Sequence, residues 1–153
     1  MDDFSDDALI KKLQDEIIED ARKHYSEEAI DRWLNPRNFG ILESAQGYGK
    51  QAGTCGDVME VWLAVADDRV REARFMTEGC GPTVACGSMA TEMATGKTVQ
   101  EALRITDKAI IQALRGLPRE HEHCAALAAD TLREALRDYL ASSKEPWRKL
   151  YKG

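Results

Sequence analysis

The chain has 153 residues, 43% hydrophobic and 31% charged, with a formal net charge of -6. That length supports one domain with a real core, and the acidic balance argues against a nucleic-acid partner, because such affinity rests on clustered Lys and Arg releasing counterions. No apolar run reaches the length of a membrane span, so no membrane partner is expected, and the acidic opening Met1-Asp2-Asp3-Phe4-Ser5-Asp6-Asp7 is unlike a secretory leader and predicts a cytoplasmic protein.

From Asp6 to about Leu34 the residues Leu9, Leu13, Ile17 and Ala21, then Tyr25, Ala29 and Trp33, recur at every fourth position. This spacing predicts one long amphipathic helix ended by Asn35-Pro36. Packing on the domain is the expected fate of its stripe, with partner binding as the other reading. Glycines 40, 47, 49, 53 and 56 then mark a loop-rich stretch with a short strand around Tyr48 to Ala52. Asp57 to Ala66 buries alternate residues Met59, Val61, Leu63 and Val65, Asp67-Asp68 supplies a turn, and Val70 to Thr77 alternates again, so an antiparallel hairpin follows. A helix opens at Gly81-Pro82 and stops at Gly96. Thr98 and Thr106 read as N-caps of two shorter helices, and a last helix runs from about His123. The expected class is α+β: a small antiparallel sheet of about three strands against several helices, with long helices at both ends of the sequence.

Four cysteines in a reducing compartment are kept for metals or chemistry more often than for disulfides. Cys55 lies between a glycine-rich loop and the first strong strand, with Asp57 two residues on. Cys80, in Gly79-Cys80-Gly81-Pro82, marks a strand-to-helix junction where free amides favour a thiolate. Cys124, in His121-Glu122-His123-Cys124, opens the last helix beside two imidazoles, each a proton acceptor or alternative ligand. Three cysteines at element ends point to one shared site, although their spacing fixes no metal. Cys86 lies in line with Ala90 and Met93 and reads as core, and His24 has no motif around it.

These residues carry a resemblance. Tyr25-Ser26-Glu27, Asn35-Pro36-Arg37-Asn38-Phe39-Gly40, Cys55-Gly56-Asp57-Val58-Met59, Gly79-Cys80-Gly81, Thr91-Glu92 with Gly96-Lys97, and His123-Cys124 resemble the motifs of the IscU and NifU-N-terminal-type iron–sulfur cluster assembly scaffolds, from about Tyr25 to Tyr139. The resemblance implies a scaffold, not an enzyme. A transient [2Fe–2S] cluster would be built from iron and sulfur on Cys55, Cys80 and Cys124, with Asp57 or His123 as the further ligand, and passed to apo iron–sulfur client proteins. It implies a cysteine desulfurase partner, Cys124 as first candidate to receive its persulfide, and Asp57 as the residue that keeps the cluster releasable. An oxygen or nitrogen ligand in place of a thiolate suits such a labile attachment.

Leu117-Pro118-Arg119-Glu120-His121 departs from the family's Leu-Pro-Pro-Val-Lys segment, which argues against an Hsp70-type chaperone partner. The expected organisation is an N-terminal helical extension at 1-24, a scaffold domain at 25-141 and a basic tail at 142-153, standing alone without a second cluster-carrier domain. The chief alternative is a zinc-bound persulfide acceptor working with a cysteine desulfurase, since the same cysteines and Asp57 suit tetrahedral zinc, which is also a metal expected in the resting or purified form. A Cys–His nucleophile enzyme and a purely structural zinc module complete the alternatives.

Overall fold

Strict alternation makes the sheet. In the computed structural model, which describes residues 2–144 and side chains from 7 to 143, strands β1 (Gly47–Ala52), β2 (Val58–Ala66) and β3 (Arg69–Thr77) pair antiparallel in the order β1-β2-β3. Met59, Val61, Leu63 and Val65 of β2 and Val70, Ala73 and Phe75 of β3 are buried on one face. Asp67 and Asp68 both take the left-handed conformation, with φ of 53° and 62°. That is the twist a two-residue hairpin needs to keep its strands paired.

The helices are α1 (Asp2–Ala21), α2 (Glu27–Leu34), α3 (Gly81–Ala94), α4 (Val99–Leu103), α5 (Asp107–Ala113) and α6 (Glu122–Lys144). Polar caps set their starts. Thr98 closes a capping box with Glu101, and the Thr106 hydroxyl accepts from the Ala109 N–H at 3.1 Å. Helix α3 is buried along nearly its whole length, between α2 on one side and α6 with the sheet on the other. Phe75, Met59, Leu63, Ile110, Leu114, Leu132 and Leu136 fill the core they share.

The single long helix expected from Asp6 to Leu34 is two. Ser26 caps α2, its hydroxyl accepting from the Ala29 N–H at 3.0 Å and donating to the Leu114 carbonyl, while Glu27 and Glu28 complement the helix dipole. The break turns α2 onto α3, where Arg32 grips Glu92 through Nε at 2.7 Å and Nη2 at 3.3 Å. Helix α1 does not follow. Its stripe stays in solvent, with Leu9, Leu13 and Ile17 at 55%, 49% and 60% exposure, so the expected packing of that stripe on the domain is corrected. Among the described residues its C-terminal part engages the body: Ala21 is buried, and Gln14, Ile17, Ile18 and Ala21 line one side of a shallow apolar groove opposite Ile30, Trp33 and Leu34.

Among the described residues no helix is long and apolar enough to cross a membrane. The basic tail expected at 142-153 lies, from residue 145 onward, outside the described residues.

Candidate metal centre

Two helix starts and one hairpin loop meet at the site. Cys80 is the N-cap residue of α3, in extended conformation, and its carbonyl accepts the first helical bond from the Val84 N–H at 3.0 Å. The α3 amides therefore begin immediately beyond the thiol, which favours negative charge there. The indole of Trp33 lies over Gly81 where a β-carbon would stand, so α2 covers this helix start.

Cys124 is the third residue of α6 and is 1% exposed. Burial pushes its thiol up to about 11; a hydrogen bond from Thr83 acts the other way, and neighbouring charge on Cys80, Cys55 and Asp57 adds to the rise. The free thiol is therefore protonated near neutrality, and its use as a ligand or nucleophile requires that the proton leave. A ring nitrogen within hydrogen-bond reach of it is His123 Nε2, 3.7 Å from Cys124 Sγ.

Cys55 and Asp57 belong to the loop joining β1 to β2. The Gly53 N–H donates to the Asp57 carbonyl at 2.7 Å and the Gly56 N–H to the Gly53 carbonyl at 3.0 Å, with Gly56 at φ 89°, a conformation glycine adopts without strain. Cys55 is exposed at the tip of this loop.

Thr83, fully buried one turn into α3, joins the pieces. Its Oγ1 lies 2.8 Å from Asp57 Oδ2, 3.3 Å from Cys124 Sγ and 3.4 Å from Cys80 Sγ. The hydroxyl has one proton to give, and the carboxylate at 2.8 Å is a stronger acceptor for it than Cys124; in the contact with Cys80 either atom can donate. Thus Asp57, Cys80 and Cys124 gather around one hydroxyl, His123 stands beside Cys124, and Cys55 forms the rim.

The structure adds His121. One of its ring nitrogens and the sulfurs of Cys80 and Cys124 all lie within 4.8 Å of one another, a group to which His123 does not belong. Its Nδ1 is the one buried side-chain polar atom among the described residues without a hydrogen-bond partner. The ring packs 6.0 Å from Tyr25 and 6.3 Å from His123, centre to centre. Burial raises the Tyr25 phenol above its usual value, and charge on Cys80, Glu120 and Cys124 raises it further, which places that phenol at the same site.

Sequence reasoning gave His121 only as one of two imidazoles near Cys124. The signal that singles it out is its spacing of three from Cys124 across a 3-10 turn, Arg119–His121, running into α6, which sets the two side chains one turn apart. Thr83 went unnoticed, because a threonine in a small-residue helix carries no spacing signal of its own.

The family model for the NifU-like N terminal domain matches residues 24–146. The chain belongs to that family. It is 48% identical over 116 residues to the iron-sulfur cluster assembly scaffold protein IscU 1 of Archaeoglobus fulgidus, covering 75% of this chain and 76% of the relative. It is 46% identical over 120 residues to the IscU scaffold of Aquifex aeolicus, covering 76% of each. The fold agrees: a NifU-like N-terminal protein from Brucella abortus superposes with a TM-score of 0.61 at 18% identity, over 76% of this chain and 94% of that one. The α+β architecture is therefore that of the NifU-like domain, and the assembly-scaffold relatives span three quarters of the sequence.

Proposed function

We propose that this member of the NifU-like family is a scaffold on which a [2Fe–2S] cluster is assembled and from which it is passed on, and that it turns over no substrate as an enzyme would. The observation that carries the reading is the gathering of Asp57, Cys80 and Cys124 within hydrogen-bond reach of the buried Thr83 hydroxyl. Two soft thiolates beside a hard carboxylate suit iron, and with Cys55 on the loop they make a three-sulfur, one-oxygen set. The cluster is cargo, so one weak ligand is useful. Asp57 is that ligand, and the loop that bears it is where the cargo leaves.

Sulfur would arrive from a cysteine desulfurase as a persulfide. The Cys124 proton passes to His123 Nε2; the Cys124 thiolate then attacks the outer sulfur of the donor persulfide, the donor S–S bond breaks, and the donor cysteine leaves as thiolate. Buried Cys124 keeps the new persulfide from water, and His123 is read as its proton partner and as a reserve ligand. The division into an extension at 1-24, a scaffold domain at 25-141 and a tail at 142-153 belongs to this proposal, as do a cytoplasmic location, apo iron–sulfur proteins as acceptors, and the absence of Hsp70-type chaperone, nucleic-acid and membrane partners.

The test is anaerobic reconstitution with iron, L-cysteine and a cysteine desulfurase, followed by an apo-ferredoxin. A [2Fe–2S] visible spectrum that fades as the ferredoxin gains its own supports the scaffold. A colourless protein holding stoichiometric zinc while Cys124 carries persulfide overturns it in favour of the zinc-bound sulfur acceptor, whose donor set the Cys80, His121 and Cys124 group would also satisfy.

A further inference from the structure

We propose that Cys80, His121 and Cys124 form a seat for a single divalent metal ion, sharing its two sulfurs with the set that holds a finished cluster and differing from it in the imidazole of His121 as nitrogen donor. Three observations meet here. The donor atoms converge, all within 4.8 Å of one another with the Thr83 hydroxyl against both sulfurs, so that a small closing movement sets them around one tetrahedral ion. His121 Nδ1 is buried and makes no hydrogen bond, a cost that ligation of the ring, or a bond formed on ligation, removes. The ring is also held in place, packed at a tilt against Tyr25 and His123 at the end of the 3-10 turn that leads into α6.

The consequence is an order of events. An incoming ion is held by the sulfurs of Cys80 and Cys124 as thiolates and by one imidazole, leaving a fourth position open. Asp57 Oδ2 is 2.8 Å from the Thr83 hydroxyl that touches both sulfurs, so the carboxylate stands at the edge of this seat without belonging to it. His121 receives the ion; Cys55 and Asp57 come into play when a second iron and sulfide enlarge it. Only the identity of the working ion as iron rests on the scaffold reading, and the arrangement of ligands does not.

Cobalt(II) alone therefore serves as probe. The chain holds three histidines, so the double variant H24Q/H123Q leaves His121 as the sole imidazole. X-ray absorption of the cobalt complex is expected to show sulfur and imidazole scattering in the wild type, retained in the double variant and lost in H121Q. H121Q is also expected to weaken cobalt binding by more than about tenfold, the loss that even a ligand's supporting partner can cause. Imidazole scattering absent from the wild type, or lost in H24Q/H123Q, overturns the seat, and those two readouts stand whether or not H121Q folds. A protein that binds cobalt through His121 yet never builds a cluster would sink the scaffold reading and leave the seat in place.

Discussion

The two halves of the metal centre are built to different standards. Cys80, Thr83 and Cys124 stand on two helices packed into the core; Thr83 and Cys124 are sealed from solvent, while the Cys80 thiol at the α3 start is exposed. Cys55 and Asp57 stand on a five-residue loop, residues 53–57, held by two short backbone bonds and by the bond from Thr83 to the Asp57 carboxylate, with Cys55 in the open. A site that only had to hold metal would gain from two rigid halves. One rigid half and one pliable half suit a site that must also let go, since release then needs a loop to move and leaves the core intact.

Placing one methyl group in each half is the sharpest way to test that contrast, and its rigid side gives the largest effect. Gly81→Ala puts a β-carbon into the Trp33 indole and is expected to destabilise the apo protein by about 3 kcal/mol in urea unfolding. Asp57→Ala, in the pliable half, is expected to lengthen the lifetime of a reconstituted cluster about tenfold by removing its weakest ligand, measured as the rate of transfer to apo-ferredoxin; an unchanged rate would mean that the loop does not govern release.

The link between the halves is tested more gently. Thr83→Val keeps the shape and removes the shared hydroxyl, which is expected to cost about 1 kcal/mol. It also removes the one interaction that opposes burial at Cys124, so the pH at which mapped Cys124 reacts with iodoacetamide should move above its wild-type position near 11. The wild-type apo protein carries the matching signature. The Cys124 thiol is raised from 9.0 to about 11 in the folded state, so the unfolded chain loses this proton first, and stability should fall as pH climbs from 9 to 11. Gly56→Ala is expected to be comparably mild: nothing lies within 4 Å of the added carbon, only the positive φ is strained, and about 1 kcal/mol should be lost.

The rigid half was also the more legible in its framework and the less legible in its detail. Alternation in β2 and β3, the Asp67-Asp68 turn, and the caps Thr98 and Thr106 are local signals, and each reappears in the structure. The first helix misled for a local reason too. Tyr25, Ala29 and Trp33 continue the four-residue spacing of Leu9 to Ala21, which hid Ser26, although a serine followed by two glutamates is a helix start in its own right. Thr83 and His121 are different in kind. What they do depends on residues 26 and 41 positions from Thr83 and 41 from His121, and no pattern within one segment encodes such a meeting.

The same distances bear on how the chain folds. Strand β1 lies along α6, where the Tyr48 N–H donates to Asp138 Oδ2 at 3.0 Å across 90 positions of sequence. Contacts of that span form late, because the entropy of closing so large a loop must be met before they contribute. Cys55 follows β1 and Cys124 begins α6, so the loop and the buried sulfur can face each other only after the two ends of the domain have met. Metal captured there stabilises the finished state alone, and its sulfur-to-metal absorption band would be a stopwatch for the last step of folding.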